Sequence, residues 1–487
     1  MADRSFSRAG STTRPTTILG TCFHTPAYGS FEMLEQALIE LDDHGVIERV
    51  TTPVDPAYRE RLRSAREAND RKPGYLLELD KDEVALPGFI DLHVHAPQWP
   101  QAGIALDEPL EVWLNERTFP LEAKFGIEAG GSSLGSSFTL PVYQDLVQTL
   151  LSRGTTTCVY FGSADVRGSE ALAKTCASIG QRAIVGKVVM DDPSANPDFY
   201  RDASTEQALA ETESFIAAVE GHAARCAEGD PRFPGIYPAV TPRFIPSCTE
   251  AALSGLGEIA RAHDAYVQSH CDESQWQSGV ARARFNKSDA EALADFGLLK
   301  RKAIMAHGTF LLDGEAEIFR ATGAALAHCP ISNAYFGNAV CPVRRIHGQG
   351  VHIGLGTDIS GGFSPSLYDN IRMAVMASRI LEDGVDARVP SEARGAGEPS
   401  RISAVEALYL ATKGGGEALD LPTGSFEVGR ALDMQVIDLK RPFADLTGNG
   451  VFTRPADQLE RILYLATPES IRAVLVQGTC VLSRDDR

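Results

Sequence analysis

What most constrains the fold of this chain is a pattern that begins at Pro87. From there, short apolar or β-branched segments alternate with longer stretches of helical periodicity. A side-chain period of two marks a strand, and a period of 3.6 marks a helix. One strand leaves the Pro87-Gly88 turn and ends at His95; seven more fall at 155–161, 183–190, 235–244, 265–270, 303–307, 324–328 and 352–358. Helical segments between them cover 141–152, 169–179, 205–226, 249–263 and 289–296. Strands alternating with helices predict parallel β/α units, because parallel neighbours need a crossover. Eight of them predict an α/β protein built on a (β/α)8 TIM barrel. The link between the seventh and eighth strands is short and poor in helix, which predicts a distorted barrel.

The flanks read differently. Residues 17–23, 34–41, 46–50, 76–79 and 84–86 are strand-like, with an Asp-Asp-His-Gly turn at 42–45 and a polar helix at 58–69. After helices at 366–381 and 404–410, strand patterns return at 434–439, 462–465 and 471–476. The two ends are therefore expected to form one small β-sandwich domain. That divides the chain into 1–86 (first part of the β domain), 87–415 (barrel) and 416–487 (second part). Residues 126–137 and 382–400 read as loops, and the Ser-, Thr- and Arg-rich start, through about residue 17, reads as a flexible arm.

Active sites of such barrels lie at the C-terminal ends of the strands. Strand one ends in His93-Val94-His95, whose i and i+2 side chains share a face. Taken alone, that pair fits either two metal ligands or a coincidence on a buried face. The other strand ends supply His270, His307 and Asp358. Three imidazoles and a carboxylate suffice for a mononuclear metal site with an open position for water. His328 reads as structural, His352 starts its strand at the wrong end, and Cys271 should point away from the face His270 uses.

Charge and composition exclude other classes. A net charge of −19 over 487 residues argues against nucleic-acid backbones and anionic membranes as partners, though not against a free base. The nine cysteines show no paired spacing, as expected of reduced thiols in the cytoplasm. No apolar run is long enough to span a bilayer.

Pro87-Gly88-Phe89-Ile90-Asp91-Leu92-His93-Val94-His95, with His270, His307 and Gly356-Thr357-Asp358, resembles the amidohydrolase superfamily. The segment His95-Ala96-Pro97-Gln98-Trp99-Pro100 more narrowly resembles its guanine deaminase family. So do Thr118-Phe119-Pro120, Thr241-Pro242-Arg243-Phe244, Gln268-Ser269-His270 with Glu273, and Ala327-His328-Cys329-Pro330. The family usually has Tyr in place of Trp99 and an uncharged or Ser-like residue in place of Cys271.

This resemblance implies metal-dependent hydrolysis of guanine to xanthine and ammonia in purine catabolism or salvage. It implies one Zn²⁺ per subunit on His93, His95, His270 and Asp358. No lysine follows strand four to bridge a second ion. Asp358 would also take a proton from water, Glu273 would protonate ring N3 and then the leaving amine, and His307 would orient the nucleophile. Gln98 and Arg243 would read the purine edge, with Phe244 or Trp99 covering its face. A homodimer is implied as well. The alternatives are a related amidohydrolase acting on another amino-heterocycle, such as 8-oxoguanine, cytosine or a triazine, or a barrel that has lost its chemistry.

Overall fold

A computed structural model describes residues 14–441 and 444–484. The first thirteen residues of the expected N-terminal arm lie outside that range. The chain opens with β1 (Thr17–Ala27), β2 (Ser30–Leu41), β3 (Ile47–Thr51), β4 (Leu76–Glu78) and β5 (Glu83–Pro87). The barrel strands follow: β6 (Phe89–His95), β7 (Thr155–Phe161), β8 (Arg182–Val189), β9 (Ile236–Pro242), β10 (Tyr266–Cys271), β11 (Ala303–His307), β12 (Ala325–His328) and β13 (His352–Leu355). Last come β14 (Met434–Asp438), β15 (Ile471–Val476) and β16 (Thr479–Ser483).

Strands β6 to β13 pair in parallel in sequence order. The ring is drawn shut where Val94 bridges Ile359, just past β13. These strands read as nearly continuous apolar runs because both faces are covered. Inside, Ile90, Leu92, Val159, Ile184, Ala239, Ile304 and Ala327 fill the barrel. Outside, Val185, Val240, Val267, Met305 and Leu326 pack under the surrounding helices. Ser204, Thr249 and Ser288 cap three of those helices, each accepting a backbone N–H in the first turn.

One departure from strict alternation matters for the site. Strand β6 slips register against β7 between Asp91 and Val94, which marks an extra residue in β6. Simple alternation would put Leu92 and His93 on opposite faces. The bulge re-aims the strand end, so Leu92 joins the barrel filling while His93 and His95 both turn toward the top.

The terminal strands form one continuous sheet in the order β16-β15-β14-β5-β1-β2-β3, with β4 beside β1. Its core mixes residues from both chain ends, among them Ile18, Ile39, Val436 and Leu475. Strand β14 pairs antiparallel with β5, which leads through Gly88 straight into β6.

The sequence reading errs at residues 462–465, which are not a strand. They end the helix Pro455–Leu465. Pro455 opens it, and Leu459, Ile462 and Leu463 bury one face at helical spacing. The connection from β12 to β13 holds only short helices, the longest being Val343–Gly348. Within 126–137 a small turn pairs Ala129–Gly130 with Ser133–Leu134, and a single helical turn, Ser391–Arg394, lies within 382–400.

Candidate active site

The expected ligand set meets at the C-terminal mouth of the barrel. One ring nitrogen each of His93, His95 and His270 lie within 4.8 Å of one another, as do one nitrogen each of His93 and His307 and a carboxylate oxygen of Asp358. His95 Nε2 sits 3.0 Å from His270 Nε2. Asp358 Oδ1 is 3.2 Å from His93 Nε2 and 3.7 Å from His95 Nε2. Ligands about 2.0–2.1 Å from a tetrahedral metal stand ~3.3 Å apart, so these spacings match the edges of one coordination shell.

Lone-pair bookkeeping supports that fit. His270 Nδ1 donates to the Arg243 carbonyl oxygen at 2.6 Å, which leaves Nε2 as a bare acceptor. His93 Nε2 is buried without a hydrogen-bond partner. Burial, then neighbouring positive charge, holds His93, His95 and His270 well below the usual histidine range. All three are neutral, as metal ligands must be. Three imidazoles and a carboxylate crowded this closely suit a cation.

Asp358 reaches this shell because the chain beyond β13 is pinned to β6. Its N–H donates to the His93 carbonyl oxygen at 2.8 Å, and His95 N–H to the Ile359 carbonyl oxygen at 2.8 Å. Asp91, buried, accepts the Thr357 N–H (2.9 Å) and Thr357 hydroxyl (2.6 Å). Asp358 and His307 both have positive φ, 49° and 79°. Such backbone is costly for non-glycine residues and gathers at functional sites. Sequence reasoning passed over Asp91, although its place two residues before His93 was the available signal.

Glu273 and His307 stand beside the ligand set, with Glu273 Oε1 3.6 Å from His307 Nε2. His307 Nδ1 pairs with Asn333 Oδ1 at 2.9 Å, so its Nε2 faces the cavity. Burial and the nearby Asp358 carboxylate push Glu273 up to about 8. That direction favours the protonated carboxyl.

Gln98 and Arg243 line the same cleft, together with Phe244, Trp113, Leu114 and Phe336. Trp99 does not reach it. Its indole N–H donates to Asp145 Oδ2 at 2.6 Å, on the barrel's outer helix Ser136–Leu151. Trp113 is the tryptophan that lines the cleft. Cys271 points away from the cluster, toward Asp272 and Asp289, as expected.

The sequence reading also missed Glu122. It ends the short helix Phe119–Glu122 and is only 1% exposed. Arg243 donates Nη1 to its Oε2 (2.6 Å) and Nη2 to its Oε1 (3.1 Å), and Gln98 Nε2 donates to Oε1 at 2.7 Å. Burial opposes the charge on Arg243, but the paired carboxylate outweighs it and raises the arginine above its usual value. A carboxylate four residues past Thr118 carried no sign of burial in the sequence.

Comparison with known proteins gives the family. The amidohydrolase family model matches residues 84–481. Guanine deaminase of Mus musculus is 34% identical over 470 residues, 95% of this chain and 96% of that one. That of Dictyostelium discoideum is 31% identical over 94% and 96%. The crystal structure of guanine deaminase from C. acetobutylicum with bound guanine in the active site superposes with a TM-score of 0.80 at 27% identity, covering 96% of this chain and 99% of that one. On this evidence of sequence, fold and site together, the chain belongs to the amidohydrolase family and, within it, to the guanine deaminase group.

Proposed function

We propose that this protein hydrolyses guanine to xanthine and ammonia. The observation that carries the reading is the meeting of two sets at one barrel mouth: the acceptor cluster of His93, His95, His270 and Asp358, and the purine-reading pair Gln98 and Arg243. A C. acetobutylicum relative of the same fold binds guanine in its active site.

In this reading His93, His95, His270 and Asp358 hold one Zn²⁺ ion. Bound there, zinc supplies Lewis acidity, which makes water nucleophilic near neutral pH. Asp358 accepts the proton that water loses as it attacks C2 of the purine. Glu273, already protonated, donates to ring N3 as charge develops there. It then passes a second proton, taken from the nucleophile, to the departing amine, so that ammonia leaves, and the proton left on Asp358 returns to Glu273 to restore both groups. His307 turns Nε2 toward the attacking water and orients it. Arg243 offers N–H donors to O6, Gln98 offers a donor and an acceptor to the ring edge, and Phe244 covers the ring face. The enzyme works in the cytoplasm as a homodimer, with residues 87–415 as the catalytic barrel and both chain ends as the β domain.

The test is ammonia release from guanine by purified protein, alongside metal analysis. Turnover of guanine with close to one zinc per chain is the expected result. Activity on cytosine, triazines or 8-oxoguanine with none on guanine overturns it. Light scattering in solution reports the dimer.

A further inference from the structure

We propose that Glu122 is the positioning residue that makes this site specific for a purine bearing oxygen at C6; the inference rests on the functional reading above. Glu122 lies inside the wall of the cleft, and its two oxygens are taken by Arg243 and Gln98. The other end of the Gln98 amide is held as well, since the Ser360 N–H donates to Oε1 at 3.2 Å. A carboxylate can only accept and a backbone N–H can only donate. Together they fix which end of the Gln98 amide is oxygen and which is nitrogen. The amide then shows the cleft one N–H and one lone pair, in set places.

The same carboxylate grips Arg243 by both terminal nitrogens, while Phe119 supports the guanidinium with its ring centroid at 5.0 Å. Held this way, Arg243 presents its remaining donors in one orientation. Donors suit the O6 acceptor of guanine and oppose an amine at the same position. A site built to hydrogen-bond an oxygen discriminates strongly against its replacement, because the mismatch leaves buried polar groups unpaired. Without Glu122, Arg243 would lose its anchor and Gln98 could turn over.

The experiment compares the zinc-loaded wild type with Glu122→Gln and Glu122→Asp on guanine and on 2,6-diaminopurine, whose C6 amine replaces the oxygen. Glu122→Gln keeps the volume and changes one oxygen to a donor. The expected result is a guanine KM raised at least about tenfold, with kcat lowered less than about threefold and zinc content unchanged. The guanine-to-diaminopurine ratio of kcat/KM falls at least about tenfold, and Glu122→Asp recovers part of both. An unchanged ratio, or a kcat loss equal for both substrates with loss of zinc, overturns the proposal. Should Glu122→Gln not fold, Glu122→Asp alone decides by the same ratio. A wild type inert on guanine defeats the functional reading itself; an active wild type with indifferent Glu122 variants defeats only this inference.

Discussion

At the scale of single residues, the proposed chemistry needs uncharged imidazoles and a carboxyl that holds its proton. Glu273 has its carboxyl pushed up to about 8 by burial and by Asp358. Acting as proton donor, it works below that value and fails as pH rises through it. The rate at saturating guanine should therefore decline above about pH 8. Glu273→Gln should lose ~10²–10⁴-fold in kcat while retaining zinc by metal analysis; undiminished turnover would remove Glu273 from this role. Arg243→Ala should leave zinc in place and raise the guanine KM by ~10²-fold or more, because a buried charge-assisted contact is worth a few kcal/mol. An unchanged KM in steady-state assays would count against it. That the histidines and Asp358 would gather was readable from their strand-end positions, because the strands of such a barrel end at one mouth. Glu122 was not, because nothing in a four-residue helix says which neighbours a carboxylate will meet. Trp99 misled for the opposite reason: its place beside the ligands in sequence does not turn it inward, and Asp145 captures its indole.

Among elements, strands were more legible than their irregularities. The sequence bounds of β7, β11 and β15 coincide with the observed ones because apolar period and turn residues agree there. The bulge in β6 is invisible in the pattern, since it depends on β7 across the ladder. The run Ile462-Leu463-Tyr464-Leu465 was misread because four apolar residues fit a strand as well as a helix; Leu459, one turn earlier, settles it. Where elements meet, a cluster of buried acids links β10 to two helices. Burial, then Asp289 and Glu315, pushes Asp272 up to about 8. Asp289 rises to about 6, with burial the largest cause. Carboxyls raised in the folded state favour folding at low pH, and that contribution is lost as pH climbs from the ordinary aspartate range through about 8. Asp289→Asn should therefore flatten the fall of melting temperature between pH 5 and 8 in calorimetry. Parallel pH profiles for variant and wild type would exclude the cluster as their source.

At the scale of the whole molecule, the terminal sheet is fastened to the barrel at the end opposite the active site. Arg182 starts β8 and ion-pairs with Asp433, just before β14; both side chains are buried. Arg182 also donates to Thr157 Oγ1 at 3.0 Å and Gln477 Oε1 at 2.6 Å, while Asp433 accepts from the Thr423 hydroxyl at 3.0 Å and the Gln477 N–H at 2.9 Å. One ion pair thus ties the bottom of β8 to the segments leading into β14 and out of β15. Breaking a buried pair by removing one partner costs about 3–5 kcal/mol, because the remaining charge stays buried and unmatched. Asp433→Ala should lower the melting temperature by several degrees and shift the denaturant midpoint accordingly. Gly88 N–H bonds the Asp433 carbonyl oxygen at 2.9 Å, a backbone contact the substitution leaves intact, so the junction into β6 is kept. Zinc content and kcat on guanine, measured per folded chain, should then match the wild type, since the ligands sit at the far ends of the strands. A loss of zinc at unchanged stability would mean that the sheet positions the metal ligands through β6, and that the two ends of the barrel are coupled.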